Sequence, residues 1–243
     1  MVDDTKANAK WHQQKSWREC NMEFIAIDIE TGPTNDEQVI KRLVSRISPP
    51  KNYRDEEKIA QYVKEKAASV VADTALNPLY GKIVSFAWFT DNMDEPQVLA
   101  IDEHTEEEIV VGALKLMANF RQTYLNAAAI TGHNIIGFDL PYIFRRAALL
   151  GVTTKPMPIP RPDEPAWRLD YVYDTMLRWG KPWPRLKELA GMLGLLTGDE
   201  DELDGGGALD ALLAGDIEKV KEHNRNDVAV SLKVAQALAE AGF

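Results

Sequence analysis

The sequence predicts an α/β domain built on a mixed sheet, and three observations carry that prediction. Strand-length apolar runs rich in β-branched and aromatic residues recur along the chain, separated by longer segments with helix start and stop signals. Their order is three strands, a helix, a strand, a helix, a last strand and further helices, which suits a mixed sheet covered by helices. The 243 residues are 45% hydrophobic, ordinary for a globular protein and enough to bury a sizeable core.

Taken in order, residues 1 to 20 read as a polar N-terminal extension without a sustained period. Trp11 and Trp17 are expected to dock part of it on the body, with fraying before Ala9. Residues 21 to 243 read as one domain. "MEFIAID" is its first strand, ended by the Gly-Pro of "IETGP". A charged insertion follows, about residues 36 to 75, broken at "SPPKNY". One amphipathic helix is expected there, from about Asp55 to Val71, with Ile59, Tyr62, Val63 and Ala67 on a common face.

"GKIVSFAWFT" and "PQVLAID" are the next two strands, joined by the turn-forming "DNMDEP". Thr105 stands three before Glu108, a capping-box spacing that opens a helix to about Tyr124. "AAAITGHN" fits a buried strand, and "DLPYIFRRAALLG" a helix with Pro in its first turn and Gly after its end. "KPMPIPRPDEP" is a loop and "WRLDYVYDTM" the last strand. Pro184 precedes the helix "RLKELAGMLGL", the acidic and glycine-rich "TGDEDELDGGG" is a surface loop, and a final helix spans about Asp216 to Ala241.

Composition narrows the function classes. A net charge of -10 argues against a protein that coats nucleic acid by bulk electrostatics, while leaving open a strand held locally through metal ions. The one cysteine, Cys20, can form neither an internal disulfide nor a cysteine zinc site, and no signal pattern opens the chain, so a cytoplasmic location is the default expectation. No apolar run approaches the roughly 20 residues needed to cross a bilayer, which argues against membrane insertion.

The chemistry begins where the first strand ends. Alternate side chains of a strand share a face, so Asp28 and Glu30 point the same way. Two anions so placed repel, and both stay ionised only if a cation joins them; hard oxygen ligands of this kind suit magnesium or manganese. The plain alternative is a wet strand end with both groups solvated. Asp139 falls where a loop hands over to a helix, where the helix dipole favours a carboxylate and an N-cap would be role enough. Asp227 lies within the last helix one turn after His223, so the two share a face that an ordinary solvated helix would also present.

"DIET", "HNIIGFDLPYIFRRA" and "HNRNDV", in that order, resemble the three sequence blocks of the DEDD superfamily of 3′–5′ exonucleases, the middle one being most like the proofreading domains of family B DNA polymerases and their free-standing relatives. "RLKELAGMLGL" is similar to those relatives too, and the likeness runs from about Phe24 to Leu238. It implies a ribonuclease H-like five-stranded mixed sheet flanked by helices, with the helical insertion after the first strand. It implies further that Asp28, Glu30, Asp139 and Asp227 hold two magnesium or manganese ions for hydrolysis of single-stranded DNA or frayed duplex ends. One branch of the superfamily carries Tyr four residues before its last Asp and the other His five before it. This chain has His223 four before Asp227, combining one spacing with the other chemistry, and an imidazole there suits a general base or water-orienting group.

By the same resemblance Thr31, Asn134 and Phe138 contact the terminal nucleotide, Phe138 by wedging or stacking, with core packing its plain alternative. His133 could serve as a ligand or donor, but a lone histidine after a buried strand is more often a hydrogen-bonded structural residue. "RWGKPWPRLK", residues 178 to 187, interleaves Arg178, Lys181, Arg185 and Lys187 with Trp179 and Trp183 and holds no acid. That pattern fits a strand-binding patch, although Trp183 between prolines is expected to pack inward. Against this exonuclease reading stand a preference for RNA, a phosphatase with an aspartyl nucleophile, which leaves the later blocks unexplained, and an inactive ribonuclease H-like binding module, whose expected mark would be a missing carboxylate.

Overall fold

The computed structural model describes residues 22–124, 127–154, 171–196, 198 and 205–243. Five strands form one mixed sheet: β1 (Glu23–Gly32), β2 (Lys82–Thr90), β3 (Gln97–Ala100), β4 (Ala128–Gly132) and β5 (Val172–Asp174), in the order β3-β2-β1-β4-β5. The β1–β2 and β2–β3 pairs are antiparallel, while β1–β4 and β4–β5 are parallel. Helices cover both faces, and the architecture is ribonuclease H-like with a helical insertion after the first strand, as the sequence predicts.

β1 is central, which is why its apolar run is nearly continuous: each of its faces meets a hydrophobic layer. Ile25, Ile27 and Ile29 pack with Ile109, Leu114 and Met117 of α3 (Glu106–Tyr124) and Ile143 of α4 (Asp139–Leu149). Phe24 and Ala26, on the other face, pack with Leu189 of α6 (Leu186–Met192) and with Val228, Leu232, Ala235 and Leu238 of α8 (Ile217–Ala241). Those last four are the apolar stripe that makes α8 amphipathic. Asp28 and Glu30 continue the Phe24–Ala26 row, so the period of two delivers both carboxylates to the α8 side.

The helix ends follow their local signals. Thr105 and Glu108 exchange the expected capping-box bonds, Thr105 N–H to Glu108 Oε2 at 2.8 Å and Glu108 N–H to Thr105 Oγ1 at 3.3 Å. Asp216 caps α8 through the Lys219 N–H, and left-handed Gly242 closes its other end. The insertion contains the expected helix, α2 (Glu56–Ala72), capped by Asp55, with Ile59, Tyr62, Val63 and Ala67 half-buried.

Three elements go beyond the sequence reading. The insertion holds a second helix, α1 (Glu37–Val44), whose N-cap Asp36 accepts from the Gln38 and Val39 N–H groups. Its half-buried Val39, Ile40, Leu43 and Val44 make a narrow stripe that a charged eight-residue segment conceals. The last strand ends earlier than expected: at Asp174 it turns at once into α5 (Thr175–Trp179). And α7 (Gly205–Leu213) begins inside the glycine run assigned to a loop, with Ala208 and Ala211 buried against the body. The expectations for Trp11, Trp17, the proline-rich segment and most of the acidic loop lie outside the described residues.

Candidate functional site

Pairing ends unevenly at the carboxyl end of β1. Its parallel partner β4 follows it only from Glu23 to Ala26, while antiparallel β2 continues to Gly32. Past Ala26 the β4-facing edge therefore has backbone donors to satisfy. Asp139 takes one: its Oδ1 accepts the Ile29 N–H at 3.0 Å. The first residue of α4 thus reaches between Asp28 and Glu30 from the opposite layer; the N-cap itself is Phe138, which gives no side-chain bond.

The loop carrying Asn134 and Phe138 is folded against β4. Asn134 is left-handed at φ 67, a conformation Asn tolerates better than most residues. At Gly132 a Cβ would meet the Ile27 carbonyl at 2.7 Å, so the turn needs glycine. Asp174, only 2% exposed, ties the loop down. Its Oδ1 accepts the N–H groups of Asn134 (3.1 Å), Met176 (3.1 Å) and Leu177 (3.2 Å), and its Oδ2 that of Ile136 (3.0 Å). His133 lies between Thr175 and Pro184, Nδ1 at 2.9 Å from the Thr175 hydroxyl and Nε2 donating to the Pro184 carbonyl at 2.9 Å. Burial holds it below its ordinary pKa, and this hydrogen-bonded role is the one the sequence suggests.

From the other side α8 presents His223, Asn224 and Asp227. His223 is buried rather than solvated, with Nε2 at 3.4 Å from Glu30 Oε1 and 3.6 Å from Asp227 Oδ2. Asn224, fully buried, was not singled out by the sequence, since an Asn in a helix carries no distinctive signal. Its Nδ2 donates to Asp28 Oδ2 at 2.5 Å, and its Oδ1 accepts from the Ser85 hydroxyl on β2 at 2.5 Å. An ionised carboxylate only accepts, which turns the amide nitrogen toward Asp28 and leaves the amide oxygen for the Ser85 hydroxyl.

Asp28, Glu30, Thr31, Asn134, Phe138, Asp139, His223 and Asp227 all line one cavity of about 220 Å³. The insertion adds Ala75 and Leu76 to its wall and α7 adds Leu209, contacts that no local pattern announces. Phe138 both lines the cavity and leans on the core through Tyr142, ring centroids 5.4 Å apart. The Thr31 hydroxyl bonds the Tyr142 phenol, which itself donates to the Ala75 carbonyl at 2.8 Å. One expectation is corrected: Trp183 does not pack inward but is 56% exposed, because its proline neighbours carry the chain across the surface before α6 begins.

The electrostatics are those of a cavity short of positive charge. Burial pushes Asp28 well above the usual carboxylate range, and Asp139, Glu30 and Asp227 add to that push against the Asn224 bond. Burial likewise pushes Asp139 up to about 7, opposed by the Ile29 N–H and reinforced by Asp174 and Asp227. Among the described residues, no group of three or more His, Cys, Asp or Glu side chains is so arranged that it could hold a metal ion. Each carboxylate instead faces a local partner: Asp28 the Asn224 amide, Asp139 a backbone N–H, Glu30 and Asp227 the imidazole. As arranged these side chains form no metal site; in donor chemistry alone they suit a hard divalent cation, because four carboxyl groups share one cavity and a cation would offset the burial and repulsion that push Asp28 and Asp139 toward the protonated form.

Fold and cavity together define a ribonuclease H-like α/β domain with an acidic pocket at the carboxyl end of its central strand. The chain matches no family model and no curated protein. Among solved structures it is similar in fold to the family B DNA polymerase from the hyperthermophilic archaeon Pyrobaculum calidifontis, with a TM-score of 0.56 and 17% identity. That likeness covers 89% of this chain and 24% of the polymerase, so the chain spans about a quarter of its structural neighbour. Among the described residues no helix is long and apolar enough to cross a membrane.

Proposed function

We propose that the protein is a metal-dependent 3′–5′ exonuclease that removes nucleoside 5′-monophosphates from single-stranded DNA or frayed duplex ends. The observation that carries this reading is the convergence of three sequence-distant blocks: Asp28 and Glu30, Asp139, and His223 with Asp227 line one cavity, in the blocks that resemble DEDD exonucleases. The structural likeness to a polymerase supports a nucleic-acid role.

Asp28, Glu30, Asp139 and Asp227 would hold two magnesium or manganese ions. When bound, such a pair supplies an activated water and a counter-charge for the departing 3′ oxygen. The remaining steps belong to the chain. Asn134 and Phe138 seat the terminal nucleotide, Phe138 by stacking on its base. Asn224 holds the Asp28 carboxylate in one orientation. His223 takes the proton of the attacking water at Nε2, where Glu30 and Asp227 stabilise the imidazolium that results.

The test is incubation of labelled single strands of DNA and RNA, blocked at either end, with magnesium, manganese or chelator. A ladder shortening from the 3′ end of DNA, abolished by chelator and by Asp28→Ala, is the expected result. A ladder that survives Asp28→Ala, or its absence with either metal, refutes the proposal.

A further inference from the structure

α5 and the segment that joins it to α6 place large apolar side chains in water. Leu177 is 44% exposed, Trp179 39% and Trp183 56%. Grouped exposure of this kind marks an interaction surface more often than single exposed residues do. Trp179 is already engaged, its ring stacked on Phe243 with centroids 5.8 Å apart and planes 12° apart. Arg178 lies over the Tyr173 ring at 4.7 Å. Trp183 is different: the Lys181 ammonium sits 5.2 Å from its ring centroid, while more than half of its surface faces solvent.

Two features make this indole a prepared surface. Pro182 and Pro184 flank it, and each fixes its own φ, so little backbone freedom remains to be lost on binding. The carbonyl of Pro184 is also held by His133, whose ring lines the acidic cavity. The platform is thus linked through one hydrogen bond to the wall of the pocket. Charge favours a polyanion here: Arg178, Lys181, Arg185 and Lys187 fall within ten residues, and the first acid after them, Glu188, accepts the Arg185 N–H at 3.4 Å.

We propose that Trp183, with Lys181 beside it, is a stacking platform for a base of single-stranded DNA lying upstream of the nucleotide whose 3′ end enters the acidic cavity. This rests on the exonuclease reading for the direction of the strand. The indole face accepts any base, and the ammonium meets the adjoining phosphate. Binding at the platform therefore adds affinity only for strands long enough to reach from the cavity to the indole.

The test compares fluorescently labelled oligothymidylates of three and ten nucleotides by anisotropy, in calcium so that binding is read without cleavage. Wild-type chain is expected to prefer the longer strand, and Trp183→Ala to lower that preference about tenfold, within the range of one lost base–aromatic stack. Trp183→Phe is expected to restore the preference while losing the tryptophan quenching that the ten-nucleotide strand produces. An unchanged preference in Trp183→Ala, or quenching that persists in Trp183→Phe, overturns the platform. A wild-type chain that binds with these signatures in calcium but cleaves nothing in magnesium or manganese overturns the exonuclease reading and leaves the platform standing.

Discussion

Replacing Asp174 tests the reasoning about how the loop beside the cavity is held. In Asp174→Ala four buried or half-buried N–H groups, those of Asn134, Ile136, Met176 and Leu177, lose their acceptor together. Met176 and Leu177 represent an N-cap, worth about 1–2 kcal/mol. Asn134 and Ile136 each lose a bond to a charged acceptor, about 1.5–3 kcal/mol apiece before compensation. The variant is also relieved of a buried anion that repels Asp139. We set the net loss at about 3 kcal/mol, or a melting temperature roughly 6–12 °C lower for a domain of this size.

Asp174→Asn separates the contributions. With its carbonyl in the place of Oδ1 it keeps three of the four bonds, and only Ile136 N–H faces an amide hydrogen. Its loss should be about 1 kcal/mol, a few degrees. Calorimetry gives the ordering, and hydrogen exchange of the four named amides gives the location. An alanine variant that melts within about 2 °C of wild type, or four amides that exchange no faster, would show that Asp174 is not what fastens this loop.

His223→Ala should lower turnover on single-stranded DNA by orders of magnitude while leaving manganese affinity, read by titration calorimetry, nearly intact; unchanged turnover removes His223 from the mechanism. Asn224→Leu, close in volume, strands the buried Ser85 hydroxyl and should cost about 1–3 kcal/mol by chemical denaturation; a neutral result would mean that the Ser85–Asn224–Asp28 chain contributes nothing to stability. In chelator, stability should depend on pH in a set direction. Asp139 is raised from 3.8 to about 7 in the folded state, so that state binds the extra proton across this window. Its contribution is present in full below about pH 4 and lost as pH rises through 7. Thermal melts from pH 4 to 8 that show rising stability across this interval would contradict the buried environment assigned to Asp139.

What the sequence revealed, and what it hid, divides along the range of the interactions. β1 and α8 were legible because burial imposes a short period: continuous apolar residues in a strand covered on both faces, and Val228, Leu232, Ala235 and Leu238 along one helix stripe. The same two periods placed Asp28 with Glu30 and His223 with Asp227. Asn224 and Asp174 were missed because their partners are remote or belong to the backbone: Asn224 meets a serine 139 positions away, and Asp174 gathers amides from a loop about 40 residues earlier. The α7 helix was hidden by Gly205, Gly206 and Gly207, which disfavour helix locally and are overruled by packing of the residues that follow. Trp183 was misplaced because a tryptophan between two prolines reads as part of a turn packed inward, whereas the same prolines hold it on the surface.

The β1–β2 ladder contains an irregularity whose consequence is mechanical. Glu30 stands opposite Ser85 but Thr31 stands opposite Ile83, so Val84 is an extra residue, its carbonyl taken by the Ile101 N–H at 3.0 Å. The long excursion between β1 and β2 hangs from the far side of that offset. Growth, shrinkage or tugging in the excursion meets a slip joint before it meets Asp28 or Glu30. An engineer grafting new segments onto this scaffold should find residues 36 to 70 forgiving, and the short stretch from Ser85 to Ala87 unforgiving.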